Sequence, residues 1–79
     1  MSHTIEIFRS AARDLHRIQV DDRNRIIEAI RGLADNPRPP GCKKLTGRDA
    51  WRIRVGSYRV IYEIHDARLS VLIVAAGKR

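Results

Sequence analysis

The sequence predicts an α+β fold in which a short strand and a hairpin of two helices precede a three-stranded antiparallel meander, with both helices on one face of the sheet. Three observations carry this expectation. Apolar residues recur at helical spacing between residues 11 and 34, they alternate with polar ones from residue 50 onward, and three prolines within residues 36–41 separate the two regimes. Seventy-nine residues make one domain, expected to span residues 1–79. A domain of that size buries only about 60% of its unfolded surface.

Residues 4–8 read Thr-Ile-Glu-Ile-Phe, which places Ile5 and Ile7 on one side of a first strand. Ser10 is the expected cap of the first helix, which carries Ala12, Leu15 and Ile18. A tight turn around Val20 leads to a second helix capped by Asp21 or Asp22, with Ile26, Ile27, Ile30, Leu33 and Ala34 as its apolar stripe. The run Asn36-Pro37-Arg38-Pro39-Pro40-Gly41 stops that helix, because proline has no backbone N–H to donate. Lys43, Lys44 and Arg48 then fall in a loop before the meander.

Two turns, Gly56-Ser57 and Asp66-Ala67, cut the remainder into three strands. Read as two-residue hairpins, with Gly56 at the first central position of a type II′ turn, they set the register. Val55 faces Tyr58, Ile53 faces Val60 and Trp51 faces Tyr62; across the second turn Ile64 faces Leu69, Tyr62 faces Val71, Val60 faces Ile73 and Tyr58 faces Ala75. One sheet face is then apolar apart from two tyrosine hydroxyls and takes the helices, which makes Trp51, Tyr58 and Tyr62 core residues. The other face holds Arg52, Arg54 and Arg59, together with an apolar strip of Ile61, Leu72 and Val74 that no remaining segment covers.

Sixteen Lys and Arg against nine Asp and Glu give a net charge of +7, which implies acidic partners. Nucleic acid is the commonest, although an acidic protein or a membrane surface satisfies the same electrostatics. Cys42, the single cysteine, cannot form an internal disulfide, and no run approaches the ~20 apolar residues of a membrane span, so a reducing cytoplasm and no membrane partner are expected. His3, His16 and His65 read as surface residues rather than catalysts.

The register sets Arg54 directly opposite Arg59, with Arg52 one pleat away, although like charges at paired positions cost some tenths of a kcal/mol. A purely structural sheet avoids this. Three guanidiniums, joined by Arg79 if the last strand brings Gly77-Lys78-Arg79 to the same edge, make a phosphate pocket, since each offers a planar, always-charged fork to phosphate oxygens. The plainer alternative is a solvated charged face.

Trp51-Arg52-Ile53-Arg54-Val55-Gly56-Ser57-Tyr58-Arg59-Val60-Ile61-Tyr62, preceded by Lys43-Lys44-Leu45-Thr46-Gly47 and followed by Val74-Ala75-Ala76-Gly77-Lys78-Arg79, resembles the RelE branch of the RelE/ParE toxin superfamily over essentially the whole chain. The resemblance implies the toxin of a type II toxin-antitoxin system, an endoribonuclease that enters the ribosomal A site and cuts messenger RNA without metal or other cofactor. By that resemblance Arg59 and Arg79 match the phosphate-stabilising and leaving-group arginines. Arg52 and Arg54 stand where well-studied members carry lysines. A guanidinium with a pKa above about 12 is a poor general base, so Arg52 is expected to clamp phosphate rather than remove a proton. The family also continues beyond this point into a short tail with a tyrosine, whereas this sequence stops at Arg79.

Lys43, Lys44, Arg48 and Lys78 are the expected contacts to RNA and ribosome, and the helical Arg13, Arg17, Arg23, Arg25 and Arg31 either add to them or are simply solvated. The strip of Ile61, Leu72 and Val74 suits an amphipathic segment of a cognate antitoxin whose acidic residues meet the arginines. Two rival readings stand beside this one. The first is a ParE-like inhibitor of DNA gyrase, whose branch lacks the arginine set; the second is a catalytically inactive chain that retains only antitoxin binding.

Overall fold

The computed structural model describes residues 2–78; Arg79 lies outside them. Its elements are β1 (Thr4–Ile7), α1 (Arg9–His16), α2 (Val20–Asp35), β2 (Lys43–Lys44), β3 (Trp51–Val55), β4 (Tyr58–His65), a 3-10 turn (Asp66–Arg68) and β5 (Ser70–Lys78). The expected strand, helix hairpin and meander are all present. The five strands form one sheet in the order β1-β5-β4-β3-β2, in which β1 runs parallel to β5 and every other pair is antiparallel.

Helical periodicity puts Ala11 and Leu15 of α1, and Ile26, Ile30 and Leu33 of α2, against the sheet. They cover Val60, Tyr62, Val71 and Ile73, each 0% exposed. The two tyrosine hydroxyls carried into this layer are both bonded. Tyr62 donates to the Pro37 carbonyl at 2.7 Å and Tyr58 to Asp22 Oδ2 at 3.2 Å. Burial, with Cys42 alongside, pushes the Tyr62 pKa far up, so the hydroxyl remains a donor.

The helix starts differ from expectation. Residue Phe8 occupies the α1 cap position with no side-chain bond, and Ser10 sits within the first turn, where its Oγ donates to the Val74 carbonyl at 3.3 Å. Helix α2 begins at Val20 itself, after Gln19, so Asp21 and Asp22 lie in its first turn, where carboxylates favour the positive end of the helix dipole. Ala12, expected on the apolar face of α1, is exposed.

The β3–β4 hairpin has the predicted register at all five pairs, from Val55–Tyr58 to Trp51–Tyr62. Gly56 has φ +60° and Ser57 does not share the positive φ, as a type II′ turn requires. The β4–β5 hairpin departs from prediction. Its loop takes four residues rather than two: Asp66–Arg68 form a 3-10 turn and Leu69 turns left-handed at φ 49°, ψ 49°. Ile64 therefore pairs with Val71 and Tyr62 with Ile73, a shift of two residues that leaves every side chain on its expected face.

An irregularity at Ile61/Tyr62 then changes the faces, because Tyr62 pairs with Ile73 but Ile61 with Ala75, which leaves Val74 as an extra residue. Beyond it Ala76, not Ala75, is buried opposite Val60, and Lys78 pairs with Tyr58. Lys43 and Lys44, expected in a loop, form the short edge strand β2 against Arg52 and Trp51.

At the opposite end from the β3–β4 turn, three distant segments are tied together. Asp66 accepts hydrogen bonds from Arg38 Nη2 at 3.1 Å and pairs with His3 Nε2 at 3.3 Å, while the Arg38 guanidinium lies 5.2 Å from the Trp51 ring centre. The bond from Arg38, and secondly that from His3, holds the Asp66 pKa below the usual carboxylate value.

Candidate functional site: a cationic end of the open sheet face

Register alone assembles the site. In a two-residue hairpin the residues flanking the turn form the hydrogen-bonded pair, so Arg54 and Arg59 occupy the following non-hydrogen-bonded pair, whose Cα atoms approach to about 4.5 Å. Arg52, two residues back along β3, shares their face and pairs with Ile61 on one side and Lys43 on the other. Lys43 is thus a fourth cation on this face, which the sequence reading left in a loop. Two consecutive lysines make too short a strand for alternation to reveal.

On the other side of Arg59 stands Gly77. A Cβ built there meets nothing within 4 Å, so packing does not demand glycine. Its absence of a side chain leaves an open notch across from Arg59 in the register, and a glycine within a strand often marks a place where a ligand approaches closely.

No carboxylate among the described residues forms an ion pair with Lys43, Arg52 or Arg59. The acidic residues of this face lie elsewhere. Glu63 is four residues along β4 from Arg59, about 13 Å at strand rise, and is engaged with His65 at 3.0 Å; Glu6 pairs with Arg68 at 3.6 Å. His65 and His3 are therefore both committed to carboxylates away from the cations, and His16 is exposed on α1. The cationic end of this face can grip an anion through several charge-assisted hydrogen bonds, while the carboxylates and the imidazole of the face lie away from it.

The remaining predicted contacts divide by face. Lys44 pairs with Trp51 and so turns to the helix side, while Arg48 stays in the loop as expected; together they border an open hollow of about 510 Å³. Lys78 does not join the arginines, because the irregularity at Val74 places it on the helix side, with Nζ 6.0 Å from the centre of the Tyr58 ring. Arg79 falls outside the described residues.

Ile61, Leu72 and Val74 are each half-buried. Ile61 lies between Arg52 and Ala75, Leu72 between Glu6 and Glu63, and Val74 at the irregularity. The sequence reading missed one neighbour, Phe8. It is 51% exposed, and its N–H donates to the Ile73 carbonyl at 2.9 Å, which sets its backbone beside Val74.

Helices on one face of a mixed sheet, with cations crowded at one end of the other face, define a small α+β protein with a cationic surface site. The chain matches the model of the ParE toxin of type II toxin-antitoxin systems (parDE) over residues 5–79, and it belongs to that family, within the RelE/ParE superfamily of toxins. It is 24% identical over 81 residues to a RelE-like toxin protein of Escherichia coli, covering 100% of this chain and 85% of the relative. Among solved structures it resembles the toxin-antitoxin complex RelBE2 of Mycobacterium tuberculosis, at 26% identity and a TM-score of 0.89 over 100% of both chains. It also resembles the archaeal RelE–RelB complex of Pyrococcus horikoshii, at 26% identity and a TM-score of 0.88 over 100% of this chain and 97% of the other.

Proposed function

We propose that this toxin is a ribosome-dependent endoribonuclease that cuts messenger RNA without a metal and is held silent by a cognate antitoxin. The observation that carries the proposal is the crowding of like charges, Arg59, Arg52 and Lys43 beside Arg54, on one face where no carboxylate of the described residues pairs with the first three. An RNA phosphate turns that repulsion into binding energy.

In the proposed reaction a ribose 2′-oxygen attacks the adjacent phosphorus and the bond to the 5′-oxygen breaks, leaving a 2′,3′-cyclic phosphate and a 5′-hydroxyl. The proton lost from the 2′-hydroxyl is balanced by the one gained at the 5′-oxygen. Arg59 stabilises the charge that gathers on the phosphorane oxygens, Arg52 and Arg54 hold and orient the phosphate, and Arg79 serves the leaving oxygen. Lys43 adds a contact to the same backbone, and Lys44 and Arg48 contact RNA of the ribosome from the neighbouring edge.

Antitoxin binding is supported by the toxin-antitoxin complexes among the structural relatives. Its proposed seat is the apolar strip of Ile61, Leu72 and Val74, extended by Phe8, where an acidic segment also competes for the arginines. Leu72→Ala with Val74→Ala weakens antitoxin binding in titration calorimetry; unchanged affinity would falsify this seat.

The test of the activity is cleavage mapping on a defined messenger with purified ribosomes. Ribosome-dependent cuts are expected, and Arg59→Ala lowers their rate by about 10²–10³-fold, the usual effect of removing one oxyanion donor. A second reading is favoured by the family model itself, which is that of ParE: inhibition of DNA gyrase. No cutting together with blocked supercoiling by purified gyrase establishes that reading instead, and neither effect leaves a chain that only binds antitoxin.

A further inference from the structure

The open face of the sheet is laid out in cross-strand rows about 7 Å apart, two residues of strand rise. The row next to the β3–β4 turn holds Arg54, Arg59 and Gly77, and the next holds Lys43, Arg52, Ile61 and Ala75. The third holds Glu63, Leu72 and Glu6. Charge thus changes sign along the face within one row. The ground between the cations and Glu63 is apolar, made by the half-buried Ile61 and Leu72 with the small Ala75 beside them.

The two carboxylates of the third row are held differently. Glu6 pairs with the Arg68 guanidinium at 3.6 Å, so a full positive charge stands against it. Glu63 has only the His65 imidazole, with Nε2 3.0 Å from Oε1, two residues along the same strand. Its Oε2 meets no donor of the described residues. An ionised carboxylate accepts several hydrogen bonds and donates none, so Glu63 is oriented through one oxygen and left open at the other.

Such a group is out of place on a face that serves phosphate alone, because a carboxylate beside a bound polyanion repels it. Its place is explained if the polyanion turns a base, rather than a phosphate, to this row. Arg59 and Glu63 stand about 13 Å apart along β4, a distance that one nucleotide and two long side chains cover together. With its phosphate on Arg54 and Arg59, such a nucleotide lays its base over Ile61 and Leu72 and brings the base edge to Glu63. Unstacked bases of single-stranded RNA are read along such edges. The aliphatic floor is indifferent to which base covers it, so the choice falls to the edge.

We propose that Glu63, held in place by His65, selects the base of the nucleotide whose phosphate the arginines grip: its free oxygen accepts a hydrogen bond from an exocyclic amino group, so that cytosine is favoured over uracil. Cytosine offers its N4 amino group where uracil has a carbonyl oxygen. The edge N–H of uracil lies between two carbonyls that repel a carboxylate. His65 is a positioning residue for this contact. The inference rests on the messenger-cutting reading for the choice of single-stranded RNA as ligand. It adds a residue that distinguishes bases where the arginines, which meet phosphate, distinguish none.

The test is fluorescence anisotropy with two single-stranded oligonucleotides of equal length, one all cytosine and one all uracil, 2′-O-methylated so that neither can be cut. The native chain is expected to favour the cytosine strand by about tenfold, the worth of one hydrogen bond to a charged group at a half-exposed position. In Glu63→Gln the ratio is expected to fall to within about twofold, because an amide can turn either a donor or an acceptor to the base. The uracil strand also gains affinity in absolute terms, since a negative charge is lost. His65→Ala keeps the carboxylate but frees it, and its ratio is expected to lie between the two. Neither side chain has another polar partner among the described residues, so melting temperatures hardly move. Arg59→Ala weakens both strands alike and leaves their ratio unchanged.

A native ratio near one, or a ratio that Glu63→Gln leaves as it was, overturns the inference; weakened antitoxin binding beside that unchanged ratio assigns Glu63 to the antitoxin instead. Binding of neither strand overturns it as well. Cleavage mapping separates these results from the reading on which the inference rests. A chain that cuts no messenger yet loses its cytosine preference with Glu63→Gln upholds the base contact while sinking the endonuclease. A chain that cuts cytosine and uracil sites equally does the reverse.

Discussion

The face of the sheet beneath the helices and the face left open treat polar groups in opposite ways. Beneath the helices, the hydroxyls of Tyr58 and Tyr62 each donate to an oxygen supplied by another segment, and the rest of the core is apolar. On the open face two arginines oppose each other across a hairpin, beside an arginine and a lysine also paired across strands. The first arrangement lowers the free energy of the fold. The second raises it by some tenths of a kcal/mol for each like-charged pair, and a ligand of opposite charge reverses the sign. Stability and function are thus segregated by the two-residue period of the strands.

The largest effect that tests this separation is at Arg59. Arg59→Ala is expected to remove about 10²–10³-fold of cleavage while leaving the melting temperature unchanged or slightly higher, because a repulsive pair is lost and no buried contact goes with it. A parallel fall in activity and stability would break the comparison, since the arginine would then be holding the sheet together. The converse substitution is Ile73→Ala, at a 0% exposed position of β5. It is expected to cost about 2–5 kcal/mol in denaturant unfolding, through lost burial and the cavity left behind.

A smaller effect of opposite sign belongs to the β4–β5 turn. Leu69 holds φ 49°, ψ 49°, a left-handed conformation that costs a residue with a Cβ about 1–2 kcal/mol, and its side chain is 37% exposed. Leu69→Gly relieves that strain, against about 0.5–1 kcal/mol for the greater freedom of glycine in the unfolded chain. The net is a stabilisation of about 0.5 kcal/mol, or a rise of roughly 2–4 °C in the melting temperature of a chain this small. Leu69→Ala keeps the Cβ and is the control that gains nothing.

The same turn explains where sequence patterning stops being informative. Gly56-Ser57 is a turn by residue type, so the β3–β4 register and the opposition of Arg54 to Arg59 follow from alternation alone. Leucine is no turn residue by type, so the left-handed Leu69 and the longer loop leave no trace in composition. The irregularity at Val74 likewise occurs in an unbroken apolar run, Val71 to Ala76, without glycine or proline to mark it, and it alone moves Lys78 to the other face. Lys43 is legible as a cation but not as a strand residue, because its pairing with Arg52 depends on the chain returning after the Pro-rich segment. Of the cationic cluster, the two opposed arginines and Arg52 were readable as a constellation, whereas Lys43 and the notch at Gly77 needed the third dimension.

The smallest effect concerns the tie between His3, Arg38 and Asp66, three residues that no local pattern brings together. The carboxyl of Asp66 titrates below its ordinary value of 3.8 in the folded chain, chiefly through the hydrogen bond from Arg38. A depressed carboxyl contributes stability above its unfolded pKa, and the contribution disappears as the pH falls through the folded value. Asp66→Asn is therefore expected to melt slightly below the native chain at pH 7, and the gap to close below pH 3.8. Because the Asp66 side chain is 61% exposed, salt also narrows the gap. Arg38→Ala removes in addition the cation over the Trp51 ring, so its deficit should persist in part at low pH. If the native and Asp66→Asn melting curves superimpose at every pH, the tie contributes no stability, and the helix-side packing alone sets the stability against which the open face carries its unfavourable charge.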